Sequence, residues 1–284
     1  MQPHCVSLSY AMDHNEAFIS AVHSANLERF ETTHKAPSNI ALVKYWGKYA
    51  SQIPANASIS FTLSEAHTTS RILFEKAAKS EVHVMYEGEP KPEFEPKIVQ
   101  FLERIRLYCP FLSAYKITID TVNTFPHSSG IASSASGMAA LAMGIVALEQ
   151  KLGGIAEEAM LQKASFLARL GSGSAARSIE GRVVSWWEHD ELENSSDLYA
   201  TKFERPHELF KTYQDSILIV HKGTKKVSST VGHDLMKNHP FKEARFEQAQ
   251  SHMSSLVAAM KKGNIEAFIK IVESEALSLH AMMM

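Results

Sequence analysis

The chain has 284 residues, 45% hydrophobic and 21% charged, enough apolar material for a sizeable core at a length where one domain gives way to two. That balance excludes disordered, collagen-like and repeat classes. Lysine and arginine number 29 against 31 aspartate and glutamate, a formal net charge of -2 without blocks of like charge, which argues against nucleic-acid binding; an anionic ligand must be met locally.

Residues 1–34 read as an N-terminal extension in which Phe18, Val22, Leu27 and Phe30 have helical spacing and Asp13 with Glu16 forms a capping pair; a short packed helix and a frayed tail both fit. The stretches IALVKYW, SISFTL, TTSRILFEK and EVHVMYEG then predict strands, punctuated by Gly47, Pro54 and a charged turn. KIVQFLERIRLY predicts an amphipathic helix stopped by Pro110, and YKITIDTV an alternating strand. That strand runs into NTFPHSSGIASSASGMAAL, a Gly/Ser loop opening a helix over residues 134–152. A second helix over 157–170 leads to GSGSAARSIEG and a strand in RVVSWWEH. Near Tyr213 the pattern restarts with SILIVHKG as a strand, KKVSSTVGH, and helices over 242–262 and 265–280. The expected division is an extension (1–34), a first lobe (35–213) and a second lobe (214–284).

Cys5 and Cys109 lie far apart and make neither a CxxC nor a zinc spacing, which favours a reducing compartment. Neither a signal-peptide start nor an apolar run long enough to span a bilayer stands out, so the cytoplasm is expected, away from membranes.

In the Gly/Ser loop, Gly130 can adopt positive φ, and Ser133 and Ser134 sit where a helix start leaves backbone N–H groups unpaired. Those donors and the helix dipole favour a phosphate. A plain tight turn with Ser134 as helix cap suits the same residues equally, and the spacing matches neither GxxxxGK[ST] nor GxGxxG. GSGSAARS carries Arg177, whose guanidinium can grip a carboxylate or phosphate, although a solvated loop arginine accounts for the isolated motif as well. Lys44 and Lys48 flank two aromatics in an apolar strand, where they are either partnered or on a solvated edge. KKVSSTVGH offers Lys225, Lys226, Ser228, Ser229 and Thr230 at a helix start, with a cap at Ser229 as the plainer reading. The 14 histidines are scattered without a metal-binding pair; His127 and His280 are the two kept in view. Hydrolase chemistry finds no GxSxG elbow.

Taken in order, APSNIALVKYWGK, IPANASISFTLS, NTFPHSSGIASSASGMAAL, RLGSGSAARSIEG and KKVSSTVGH resemble diphosphomevalonate decarboxylases of the GHMP kinase superfamily, from Ala36 to the last residue. The resemblance implies an α+β fold of two lobes, a nucleotide-binding lobe like the second domain of ribosomal protein S5 and an incomplete ferredoxin-like lobe, with the site between them. It also implies ATP and Mg²⁺ as cofactors. The activity implied is phosphorylation of the 3-hydroxyl of mevalonate 5-diphosphate, followed by loss of phosphate and CO2 to give isopentenyl diphosphate. By the same resemblance Gly130, Ser133, Ser134, Ser136, Asn56 and Ser58 face the nucleotide. Tyr45, Lys48, Ser172, Ser174, Arg177 and Ser229 hold mevalonate diphosphate, and Lys44 lies near the reacting groups; Arg177 orients the departing carboxylate. Relatives imply a homodimer. They carry cysteine where this chain has Ala176, and they continue to an Asp-Ala-Gly motif absent here, so the catalytic carboxylate is expected beyond Met284 and the chain reads as truncated. A GHMP kinase that phosphorylates without decarboxylating, and a catalytically dead nucleotide-binding homologue, are the competing readings.

Overall fold

A computed structural model describes residues 16–23, 27–49, 52–126, 130–218, 232 and 234–283. Seven strands form one sheet: β1 (Arg29–Val43), β2 (Ser58–Lys76), β3 (Val82–Tyr86), β4 (Glu89–Pro90), β5 (Tyr115–Asn123), β6 (Val183–Trp186) and β7 (Thr201–Lys202). Their order is β4-β3-β5-β2-β6-β7, with β1 pairing β2 off that path; β3 and β5 are parallel and the remaining pairs antiparallel. The helices are α1 (Glu95–Ile105), α2 (Ser133–Lys151), α3 (Glu157–Gly171), α4 (Lys242–Lys262) and α5 (Ile265–Met283), with a 3-10 turn at Gly173–Ser178.

SISFTL and TTSRILFEK, expected as two strands, are one. β1 runs beside almost all of β2 and absorbs the break as an irregularity where Pro37 faces His67 and Ser38 faces Leu63, a proline having no N–H to give the ladder. The strand expected through Trp46 stops at Val43. The helix suggested by the N-terminal spacing does not form among the described residues. Glu16–Phe18 is a single 3-10 turn and residues from Arg29 onward are strand, so the segment 29–34 belongs to the sheet. Its apolar residues pack nonetheless: Phe18 stacks on Phe166 at 4.0 Å, and Val22, Leu27 and Phe30 lie against the same core. Of the strand expected in SILIVHKG, residues 216–218 have no regular structure and 219–223 lie outside the described residues.

Two cores result. In the first, Ile72, Phe74, Ile117 and Ile119 of the sheet meet Phe101 and Ile105 of α1, Leu141, Ile145 and Leu148 of α2 and Phe166 of α3. α2 is apolar almost all round, as befits a helix enclosed by sheet and helix. Its small residues permit close approach, and a Cβ on Gly144 would overlap Ile72 Cδ1. The second core joins Met253, Leu256, Val257 and Met260 of α4 and Phe268 of α5 to Leu42, Val43, Ala57, Ile59 and Val183. The C-terminal helices thus cover the ends of β1 and β2 that frame the KYWGK segment. No helix among the described residues is long and apolar enough to cross a membrane.

Candidate functional site

Beyond Val43 the chain leaves the sheet, and Asn56 shapes the backbone of residues 44–46. Its fully buried amide donates to Lys44 O at 2.9 Å and Ala57 O at 2.7 Å and accepts from Trp46 N at 3.3 Å. Trp46 Nε1 donates to Gly232 O at 2.7 Å, fixing the segment from its other side. Lys44 N donates to Glu275 Oε2 at 2.9 Å. Glu275, on α5, is fully buried and also receives Arg245 Nη1 at 3.0 Å and Nη2 at 2.6 Å and His252 Nδ1 at 2.7 Å. Burial holds the Lys44 ammonium below the usual lysine range; Arg177 acts in the same direction, while Glu275 and Asp215 oppose it.

Arg177 comes from the 3-10 turn after α3. Ser165 Oγ donates to Ala176 O at 2.9 Å and Asn39 Nδ2 donates to Ser178 Oγ at 2.8 Å, so both neighbours of Arg177 are pinned. The guanidinium is 2% exposed, lies 5.7 Å from the ring centre of Trp186 and donates through Nη1 to Ser58 Oγ. Its Nε is buried with no hydrogen-bond partner among the described residues, and burial pulls its pKa down to about 10. Tyr45 packs on the same Trp186 at 4.9 Å and crosses Gly173 so closely that a Cβ there would meet its hydroxyl oxygen at 2.8 Å. Burial raises the Tyr45 phenol, keeping it a neutral donor. Ser172 and Ser174 flank Gly173 and are half-buried.

Among the described residues, two cavities open here. One of 230 Å³ is lined by Ser133, Ser134 and Gly137 at the start of α2, by Lys97 of α1, by Thr68 and Ser70 of β2, and by apolar Tyr86, Phe94, Ile98 and Met138. The other, of 430 Å³, includes Lys48, Tyr49, Arg104, Tyr108 and Arg169.

Lys44, Tyr45, Arg177, Asn56 and Ser58 therefore come together, with Ser172 and Ser174 beside them. Asn56 and Ser58, expected on the nucleotide side, hold the backbone of residues 44–46 and the Arg177 guanidinium, and neither lines the cavity at α2. Ser133 and Ser134 do line it, but Ser134 is not the cap: the cap position is Ala132, at φ 53°, with no side-chain capping bond. Neither hydroxyl makes a hydrogen bond to the described residues. Gly130 has φ 87°, the positive value expected of it. Ser136 is fully buried and shares a 2.6 Å hydrogen bond with Thr68 Oγ1, tying helix to sheet. Ser229 and His127 lie outside the described residues, and His280 is exposed on α5. Sequence reasoning missed Lys97, Arg104, Arg169 and Glu275. Lys97 and Arg104 could have been found from their seven-residue spacing on one helix face, and Glu275 as the acid continuing the stripe Phe268, Ile271, Val272.

Against known proteins, the model of the diphosphomevalonate decarboxylase-like N-terminal domain matches residues 36–199. Diphosphomevalonate decarboxylase of Ganoderma lucidum is 30% identical over 268 residues; the alignment covers 89% of this chain, which spans 65% of that relative's length. The crystal structure of mevalonate diphosphate decarboxylase from Staphylococcus aureus superposes with a TM-score of 0.74 at 27% identity, covering 89% of this chain and 74% of that one. The structure of MDDEF in complex with MVAPP, AMPPCP and magnesium gives 0.71 at 27% identity, covering 89% and 75%.

Proposed function

Because the chain belongs to the diphosphomevalonate decarboxylase family and has its α+β GHMP kinase fold, we propose that it supplies the nucleotide- and substrate-binding residues of an ATP-dependent decarboxylase converting mevalonate 5-diphosphate to isopentenyl diphosphate. The observation that carries this reading is Arg177, a buried cation whose Nε lacks a partner among the described residues, set between Ser58 and Trp186 beside Lys44 and Tyr45. Such a group has a strong free-energy reason to take up a carboxylate.

In this proposal the cavity at the start of α2 takes the nucleotide. Its apolar wall suits the base, and the helix N-terminus with Ser133 and Ser134 suits the phosphates. Among the described residues no three His, Cys, Asp or Glu side chains converge, so magnesium would draw on those serine hydroxyls and on phosphate oxygens; bound there it would neutralise phosphate charge. Lys44 offsets the charge that develops as the γ-phosphoryl group leaves ADP for the 3-hydroxyl oxygen, whose proton passes to the carboxylate that the family's Asp-Ala-Gly motif supplies. Arg177 then orients the carboxylate: its bond to the carbon chain breaks, that electron pair forms the new double bond, and CO2 and phosphate leave. Tyr45, Lys48, Ser172, Ser174 and Ser229 hold the rest of the substrate. The division into lobes at residue 214, a cytoplasmic location and a homodimer are parts of the same proposal.

The test titrates AMPPCP with magnesium, and then mevalonate 5-diphosphate, into the chain by calorimetry, where both should bind. Carried on through the Asp-Ala-Gly motif of its relatives and given ATP, the chain should release ADP, phosphate and CO2 in equal amounts, with the product identified by mass. A stable 3-phosphate without CO2 would mean a kinase instead. If calorimetry detects binding of neither ligand, the assignment is wrong.

A further inference from the structure

The 430 Å³ cavity has a described lining with three cationic side chains, Lys48, Arg104 and Arg169, and no carboxylate. The three cations come from separate parts of the chain, and the two arginines are each held in place by a backbone carbonyl. Arg169, on α3, is fully buried, donates through Nε to Leu198 O at 2.7 Å and stands over the Phe166 ring at 5.1 Å. Arg104, on α1, donates through Nη1 to Leu170 O at 3.0 Å, the carbonyl just before GSGSAARS. That is its one hydrogen bond to the described residues, so most of the five N–H groups of its guanidinium are left over. Lys48 is forced toward deprotonation first by burial; among nearby charges Asp234 opposes this, and Arg104 and Lys237 add to it. Lys97 lies seven residues before Arg104 on the same helix, lines the nucleotide cavity and feels the Arg104 charge.

Like charges gathered around a concave, partly desolvated space are unfavourable unless an anion completes them. A carboxylate or a monophosphate carries too little charge to match this set, whereas a diphosphate ester matches it in charge and offers enough oxygens for several donors. We propose that Arg104 is a further substrate-binding residue: with Lys48 and Arg169 it forms a socket for a diphosphate ester, and its free N–H fork grips the terminal phosphate. Identifying that ester as mevalonate 5-diphosphate rests on the function proposed above; the socket does not.

The experiment titrates inorganic pyrophosphate into the chain by calorimetry and compares it with Arg104→Gln and Arg104→Lys. Arg104→Gln should weaken pyrophosphate at least about tenfold, as expected for losing charge-assisted hydrogen bonds, with Arg104→Lys in between. AMPPCP affinity should not change, and orthophosphate should bind about tenfold more weakly than pyrophosphate. Equal pyrophosphate affinity in Arg104→Gln and wild type would overturn the proposal. So would a parallel loss of AMPPCP, or orthophosphate binding as tightly as pyrophosphate. If the Arg104-dependent pyrophosphate site is found but mevalonate 5-diphosphate binds no better than pyrophosphate, the socket stands and the substrate assignment falls.

Discussion

Arg177 shows how much one side chain can decide. Burying a guanidinium without a countercharge lowers its pKa to about 10 and works against folding, so its retention has to be explained by what it binds. Arg177→Met is therefore expected to leave the urea midpoint of the unliganded chain no lower than wild type, while mevalonate 5-diphosphate binding weakens about 100-fold. Urea titration followed by calorimetry separates the two effects. Lys44 makes a prediction in pH. Burial holds its folded pKa below the 10.5 of a free lysine, so between those values the unfolded chain binds more protons than the folded one, and stability should rise with pH through that window. Lys44→Met should flatten this rise; an unchanged slope would place its origin elsewhere. At this scale the gathering of Arg177, Lys44 and Tyr45 was legible from their motifs. The roles of Asn56, Ser58 and Ser134 were not, because the partner of an amide or hydroxyl depends on backbone angles and strand pairing that composition does not encode. Ala132 in the left-handed region moves the cap away from Ser134, and Ser58 faces the turn bearing Arg177, 119 residues away.

The elements that carry the site are locked to one another by a few contacts. Glu275 joins α5 to α4 through Arg245 and His252, and joins both to the backbone at Lys44. Glu275→Gln removes the countercharge from a fully buried arginine and is expected to cost about 3–5 kcal/mol. The double change Glu275→Met with Arg245→Met should recover most of that loss, measured by urea unfolding. A second contact is steric: α2 approaches β2 at Gly144, and Gly144→Ala should destabilise by about 1–3 kcal/mol as Ile72 is displaced within a closed core. α2, α3, α4 and α5 were readable to within a few residues because apolar spacing and breakers bound them. The sheet order was not, since β2 meets β6 across more than a hundred residues and nothing local selects that pairing. The N-terminal segment misled for a related reason: four apolar residues at helical spacing reach the core equally well from a turn and a strand, and pairing with β2 settled the matter.

For the molecule as a whole, the two cavities among the described residues are together lined by more positive charge than the overall charge of -2 suggests. Pyrophosphate at a hundred times its dissociation constant should stabilise the fold by about 2.7 kcal/mol, read as a rise in unfolding temperature. The rise should shrink as salt increases, because screening weakens an attraction built from separate charges; a salt-independent rise would point to binding outside the cationic cavity. The feature with the widest reach is β2. Its Ile59 belongs to one core and its Ile72 and Phe74 to the other, while β1 runs along one edge and β5 and β6 share the opposite one. A strand placed this way cannot release its amides by local fraying. In deuterated water the amides of residues 58–61 and 68–76 should be the last to exchange, and both groups should do so at one common rate, the rate at which the entire molecule opens.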